Sequence, residues 1–136
     1  MTRAVDSSVA VAAILADHEA HELAESALSG SGATIAHVAA ETYSVLTRLP
    51  PPHRLDAATA AAIVQARLPR RWVTLSPGRN AAVLRQLAEA DVAGGATYDG
   101  LIALAAREHE LELISRDRRA ARAYRALGVA FQLLPA

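Results

Sequence analysis

The chain has 136 residues, 52% hydrophobic and 21% charged, with 14 basic and 14 acidic side chains that cancel at pH 7. That length supports one domain with a substantial core, and the composition excludes a disordered segment. Zero net charge argues against a broad nonspecific nucleic-acid platform, and the lack of cysteine excludes disulfides and thiolate metal sites.

The elements alternate along the chain. Arg3–Val5 reads as a short strand, followed by helical stretches at Ser7–Ala16 and His18–Leu28. Gly30-Ser31-Gly32 breaks the chain before a second strand, Ala33–Ala36, and a helix over His37–Leu49 stops at Pro50-Pro51-Pro52. Asp56 is placed to cap an Ala-rich helix, Ala57–Leu68. Trp72–Leu75 forms a third strand, then Ser76-Pro77 reads as a cap with proline at the first helical position, opening a helix to about Asp91. Gly94-Gly95 punctuates the chain before a helix at Tyr98–Glu108. Leu111–Ser115 is a fourth strand, Asp117–Leu127 a last helix ended by Gly128, and Val129–Leu133 a fifth strand.

Strands alternating with helices, without Asn-Gly or Asp-Gly hairpin signals, predict an α/β fold with a parallel five-stranded sheet flanked by helices. No repeat or linker divides the chain, so residues 1–136 are expected to form one domain. The apolar run Val9–Leu15 is bounded by Asp6 and Asp17 and is too short to span a bilayer, which leads to the expectation of a soluble, cytoplasmic protein without a membrane partner.

Four acids sit where a strand runs out or an apolar helix begins: Asp6 after Arg3-Ala4-Val5, Glu41 beyond Thr34-Ile35-Ala36, Asp99 in Ala96-Thr97-Tyr98-Asp99-Gly100, and Asp117 after Leu113-Ile114-Ser115-Arg116. Each alone has an ordinary structural role, as a helix cap, a first-turn charge or a partner for His37 one turn away. Most of the ten other acids lie on solvated helix faces or loops. In an open α/β sheet the carboxyl ends of the strands share one edge, and four like charges gathered there require a cation. Hard oxygen donors without sulfur suit Mg²⁺ or Mn²⁺.

The stretches around these acids carry a family resemblance. Val5-Asp6-Ser7-Ser8-Val9, the run from Ala40-Glu41-Thr42-Tyr43 to Arg48-Leu49, Gly95-Ala96-Thr97-Tyr98-Asp99-Gly100-Leu101, and Leu113-Ile114-Ser115-Arg116-Asp117 occur in the order and spacing of PIN-domain ribonucleases. The chain resembles that family from end to end, and especially the toxin subunit of VapBC toxin–antitoxin modules. The resemblance implies a PIN-like three-layer sandwich and an Mg²⁺- or Mn²⁺-dependent endoribonuclease acting on tRNA or rRNA. It also implies a cognate VapB-type antitoxin, a homodimer and a toxin–antitoxin hetero-oligomer. It carries the family's acidic quartet onto Asp6, Glu41, Asp99 and Asp117 as catalytic and metal-binding residues, with supporting hydroxyls at Ser7 or Ser8 and at Ser115. Asp6 and Asp99 are the expected direct ligands. Glu41 either binds a second cation or acts as general base, and Asp117 positions a water or second cation.

Several further residues stand beside this set. His37, Glu41, Ser44 and Arg48 share one helical stripe next to the inward-facing Val38, Val45, Leu46 and Leu49, so His37 and Arg48 either flank the site or form a surface stripe. Arg116, Arg118, Arg119, Arg122 and Arg125 crowd the last acid and either grip phosphate or an acidic partner, or form a solvated face. Every basic residue is arginine, which follows most simply from coding bias, yet each supplies a planar fork suited to phosphate. His18, His21 and Glu22 have metal-like spacing without a third partner and read as surface, and Trp72 reads as a core or interface residue. A catalytically silent PIN-fold binding module is the alternative function, opposed by the intact quartet. A phosphoryl-transfer or receiver-type domain fits poorly, because the chain has no lysine for the phosphoryl group, and an aspartyl-phosphatase loop would need a second acid two residues after Asp6, where Ser8 stands.

Overall fold

A computed structural model describes residues 1–135. Strand β1 (Arg3–Val5) leads into helices α1 (Ser7–Ile14) and α2 (His21–Ser29), and β2 (Thr34–Ile35) runs directly into α3 (Ala36–Thr47). Helix α4 (Ala57–Arg67) precedes β3 (Trp72–Val73), followed by α5 (Pro77–Asn80), α6 (Val83–Glu89) and α7 (Ala96–Glu108). The chain finishes with β4 (Glu112–Ser115), α8 (Arg118–Ala126) and β5 (Phe131–Leu133).

Every strand pairing is parallel, as the alternating pattern predicts. The hydrogen bonds form two ladders, β1-β4-β5 and β2-β3, rather than one continuous five-stranded ladder. The ladders meet where β1 touches β2, and the Gly32 N–H donates to the Arg3 carbonyl at 2.9 Å just before β2 begins. With only two residues each, β2 and β3 offer few donors for lateral pairing.

Side chains that alternate across the strands build the three layers. Ala4 of β1 and Leu113 of β4 face a core with α6, α7 and α8, which includes Ile102, Leu104 and Tyr124. Their neighbours Val5 and Ile114 face the opposite core, with Val9, Leu46, Ala60 and Val64 from α1, α3 and α4. Small residues allow close approach: a Cβ on Gly100 would overlap Leu87 and crowd Val92, so glycine lets α7 lie against α6.

Most expected elements are present with shifted ends. Helix α2 starts at His21 rather than His18, because the His18 ring accepts the Ala20 N–H at 3.0 Å and holds a turn instead. The helix expected from Pro77 to about Asp91 divides into α5 and α6. Ser76 does cap α5, accepting the Arg79 N–H at 3.4 Å, but Gly78 and Asn80 are weak helix formers and the first segment ends after one turn. Asp117 lies outside α8 as its N-cap, and Gly128 follows that helix with φ +69°, a conformation glycine adopts without penalty. Among the described residues, no helix is long and apolar enough to cross a membrane.

Candidate active site

Strand β1 ends at Asp6, whose extended backbone (φ −86°, ψ −179°) makes it the N-cap of α1. Its Oδ1 accepts from the Ser8 N–H (3.1 Å), the Ser8 hydroxyl (2.5 Å) and the Val9 N–H (3.4 Å). Its Oδ2 accepts from the Tyr124 hydroxyl at 2.8 Å. The side chain is 1% exposed. Burial raises its pKa, opposed by hydrogen bonds from the Ser115, Ser8 and Tyr124 hydroxyls and the Val9 N–H.

Ser8 also ties this corner to the neighbouring strand, since its Oγ accepts the Arg116 N–H at 2.9 Å. Among the expected first-motif hydroxyls, Ser8 therefore touches Asp6, whereas no side-chain hydrogen bond of Ser7 occurs among the described residues. Ser115 is fully buried at the end of β4 and accepts the Asp117 N–H at 3.0 Å. Asp117 caps α8, accepting from Arg119 N–H (2.8 Å) and Ala120 N–H (3.3 Å) through Oδ1.

Glu41 comes from α3 and Asp99 from the first turn of α7. Burial, and secondarily the negative charge of Asp6, raise the pKa of Glu41. Asp99 is pushed up to about 6, first by burial and then by the charges of Asp117, Glu41 and Asp6, with His37 opposing. Asp99 thus lies within the field of the other three acids at the carboxyl end of the sheet. His37, which the sequence places one turn before Glu41, lies with its Nε2 3.7 Å from Glu41 Oε1.

Oxygen donors of this kind fit a hard divalent cation. The clearest mark is Glu41 Oε1, which is buried from solvent and among the described residues has no hydrogen-bond partner, a costly state for a carboxylate oxygen. The Asp6 carboxylate is oriented by donors on both oxygens, the Ser8 and Val9 groups on Oδ1 and the Tyr124 hydroxyl on Oδ2. Among the described residues the side chains do not close into a three-ligand cage. An open arrangement suits Mg²⁺, which keeps several waters and takes few carboxylates.

Tyr124 is the residue that sequence reasoning passed over. It is fully buried in α8, edge-on to Phe131 (centroids 5.8 Å apart, planes at 63°), and reaches a carboxylate 118 positions away. Burial and the facing Asp6 charge drive its own pKa upward. One signal was available: Tyr124 is the single large apolar-bodied residue in an arginine- and alanine-rich helix, and a buried tyrosine hydroxyl needs a partner.

The arginine cluster divides. Arg118, Arg119 and Arg122 line a cleft of about 1140 Å³ that also touches Asp99 and Asp117. Arg116 lies at a second hollow with Glu19, Leu133 and Pro135, which Arg118 also lines, and Arg125 stacks 5.5 Å above the Phe131 ring. Arg48 turns to Ser44 on the exposed side of α3 (3.4 Å). The His18 and His21 rings bond to backbone, His21 at 3.0 Å from the Ala12 carbonyl, away from the acidic edge.

The PIN domain family model matches residues 3–126. The chain is 42% identical over 131 residues to proteins named Ribonuclease VapC40 in Mycobacterium tuberculosis strains CDC 1551 / Oshkosh and H37Rv, an alignment covering 96% of this chain and 98% of each relative. It is also 42% identical over 133 residues to Ribonuclease VapC27 of M. tuberculosis H37Rv, covering 93% of this chain and 92% of that protein.

Proposed function

The chain belongs to the PIN-domain family, among its VapC-type ribonucleases, and from that premise we propose that it is an Mg²⁺- or Mn²⁺-dependent endoribonuclease toxin acting at the acidic edge of its sheet. The observation that carries this reading is Glu41 Oε1, buried without a hydrogen-bond partner among the described residues and gathered with three other acids at the ends of parallel strands and the starts of helices. A lone carboxylate oxygen in that position is stabilised by a cation or by a proton taken during reaction.

Asp6 and Asp99 would hold the cation directly, and Asp117 would support it from the start of α8. A bound divalent cation supplies Lewis acidity and a nucleophilic water at neutral pH. Glu41 Oε1 accepts the proton of the water that attacks the phosphodiester, a role favoured by its raised pKa. Ser8 and Tyr124 keep the Asp6 carboxylate in one orientation while this happens. Arg118, Arg119 and Arg122 face the RNA strand along the cleft beside Asp99 and Asp117.

The same reading assigns tRNA or rRNA as substrate, a VapB-type antitoxin as partner, assembly as a homodimer within a toxin–antitoxin complex, and a cytoplasmic location. Purified protein should cut RNA with Mn²⁺ and stop in EDTA, while a short reading frame beside its gene should relieve the growth arrest it causes. Unchanged cleavage in EDTA would sink the metal assignment. Metal binding without any RNA cleavage would favour the silent binding module.

A further inference from the structure

The rim of the acidic edge carries an aromatic pair for which the cleavage chemistry has no use. The His37 and Tyr98 rings lie 5° from parallel with centroids 6.0 Å apart. Each belongs to an element that delivers an acid: His37 lies one turn before Glu41 on α3, and Tyr98 directly precedes Asp99 on α7. Neither ring is core packing, since Tyr98 is 56% exposed and the His37 side chain 36% exposed. Scattered exposed aromatics are ordinary on protein surfaces. Two stacked across different helices, with both helices supplying the proposed catalytic acids, form an oriented feature.

We infer that Tyr98, braced by His37, is a stacking shelf for one unpaired nucleobase of the RNA strand cut at the adjacent acids. The inference rests on the ribonuclease reading and adds what that reading lacks, a contact to a base. The acids repel the phosphates that flank the scissile bond, and Arg118, Arg119 and Arg122 offset this along a cleft whose lining includes neither Tyr98 nor His37. Stacking is indifferent to charge, so a base held on Tyr98 anchors the strand where electrostatics does not. Every base has a π-face, whereas bases in a duplex are already stacked on each other. The shelf therefore selects unpaired nucleotides and is tolerant of sequence.

The test uses a labelled single-stranded RNA of mixed sequence, about twelve nucleotides long, bound to the full chain with Ca²⁺ and checked on a gel for integrity. Tyr98→Ala should weaken binding about tenfold, and Tyr98→Phe should bind like wild type, because the ring and not the hydroxyl does the stacking. His37→Ala should lose about two- to threefold, as the brace rather than the shelf. Binding of the same sequence as a duplex should not change. Moving one abasic nucleotide along the probe should reveal a single position at which wild type and Tyr98→Ala bind alike. Melting curves check that each variant is folded. An equal loss for Tyr98→Phe and Tyr98→Ala, an equal loss on duplex, or no loss at all overturns the shelf. If wild type binds and cuts RNA while Tyr98→Ala does so undiminished, the shelf alone falls. If wild type neither binds nor cuts RNA, the ribonuclease reading falls with it.

Discussion

The β1–α1 and β4–α8 corners follow the same local plan. Each is a strand of one parallel ladder that ends near an aspartate, whose Oδ1 then caps the next helix. In the second corner Asp117 is half-buried, and among the described residues only Oδ1 has donors. In the first, Asp6 is buried and Oδ2 is held by Tyr124 from a distant helix. Capping accounts for the hydrogen bonds of Asp117 but leaves the burial of Asp6 unexplained, since a cap works equally well at the surface. What distinguishes Asp6 from Asp117 is the expense of hiding its charge and the long-range bond that orients its second oxygen.

That contrast is broken most directly by neutralising each acid in turn. Asparagine caps helices as well as aspartate, so Asp6→Asn and Asp117→Asn should both fold. Asp6→Asn should lose at least about a hundredfold in cleavage rate, and Asp117→Asn about tenfold, because only the first removes an oriented ligand from the centre. Single-turnover cleavage of one RNA by both variants reads the difference. Equal losses would mean that the two corners do the same work.

Removing the Tyr124 hydroxyl should turn the first corner into something closer to the second. Tyr124→Phe keeps the edge contact with Phe131 and deletes one hydrogen bond to a buried carboxylate, a loss of about 1–3 kcal/mol in stability. The Asp6 pKa, already raised, should climb further, and cleavage should fall about tenfold with a higher Mn²⁺ requirement. Phe131→Leu disturbs the same packing without touching the bond, so it should lower the melting temperature and leave the Mn²⁺ requirement unchanged. The opposite pattern would make Tyr124 a packing residue.

Asp99 sharpens the comparison through pH. Its carboxyl titrates at about 6 in the folded chain against 3.8 as the reference. The native state therefore binds this proton more tightly than the unfolded chain does. Its contribution to stability is greatest below about 4, declines between about 4 and 6, and stays low above that. Asp99→Asn should stabilise the metal-free protein at pH 7.5 by about 1 kcal/mol, discounted for solvent screening at a half-exposed site, and should flatten the decline. Mn²⁺ should raise the melting temperature of wild type more at pH 7.5 than at pH 5, where protons compete for the same oxygens. Melting scans across pH, with and without Mn²⁺, check both.

Much of this arrangement was legible before the fold was known. Strand–helix alternation gave the parallel topology, because the period of apolar residues switches between elements. The four acids stood out because they adjoin apolar segments rather than solvated ones. The split of the sheet into two ladders was not legible, since it depends on where single hydrogen bonds fall between two-residue strands. Nor was the choice of Ser8 over Ser7, which turns on which hydroxyl the first turn of α1 aims back at its cap. Tyr124 and the division of the arginines depend on packing between residues far apart in the chain, which local patterns do not encode.

The smallest expected effect lies in the arginines of α8, where one helix presents both kinds of cation. Arg122 lines the cleft beside Asp99 and Asp117, whereas Arg125, three residues on, lies over Phe131. If the cleft receives RNA, Arg122→Ala should weaken binding uniformly across sequences and reduce the slope of log affinity against log salt by about 1, because one phosphate contact no longer releases a counterion. Arg125→Ala should leave that slope unchanged and instead cost about 0.5–1 kcal/mol of stability from the lost contact with the ring. Arg116→Ala, at the second hollow, should resemble Arg125→Ala in RNA binding. Salt titrations of RNA affinity on the three variants distinguish these roles. A flattened slope for Arg116→Ala would move the strand to the other side of α8, and unchanged slopes in all three would make the cleft a surface for the antitoxin instead of the substrate.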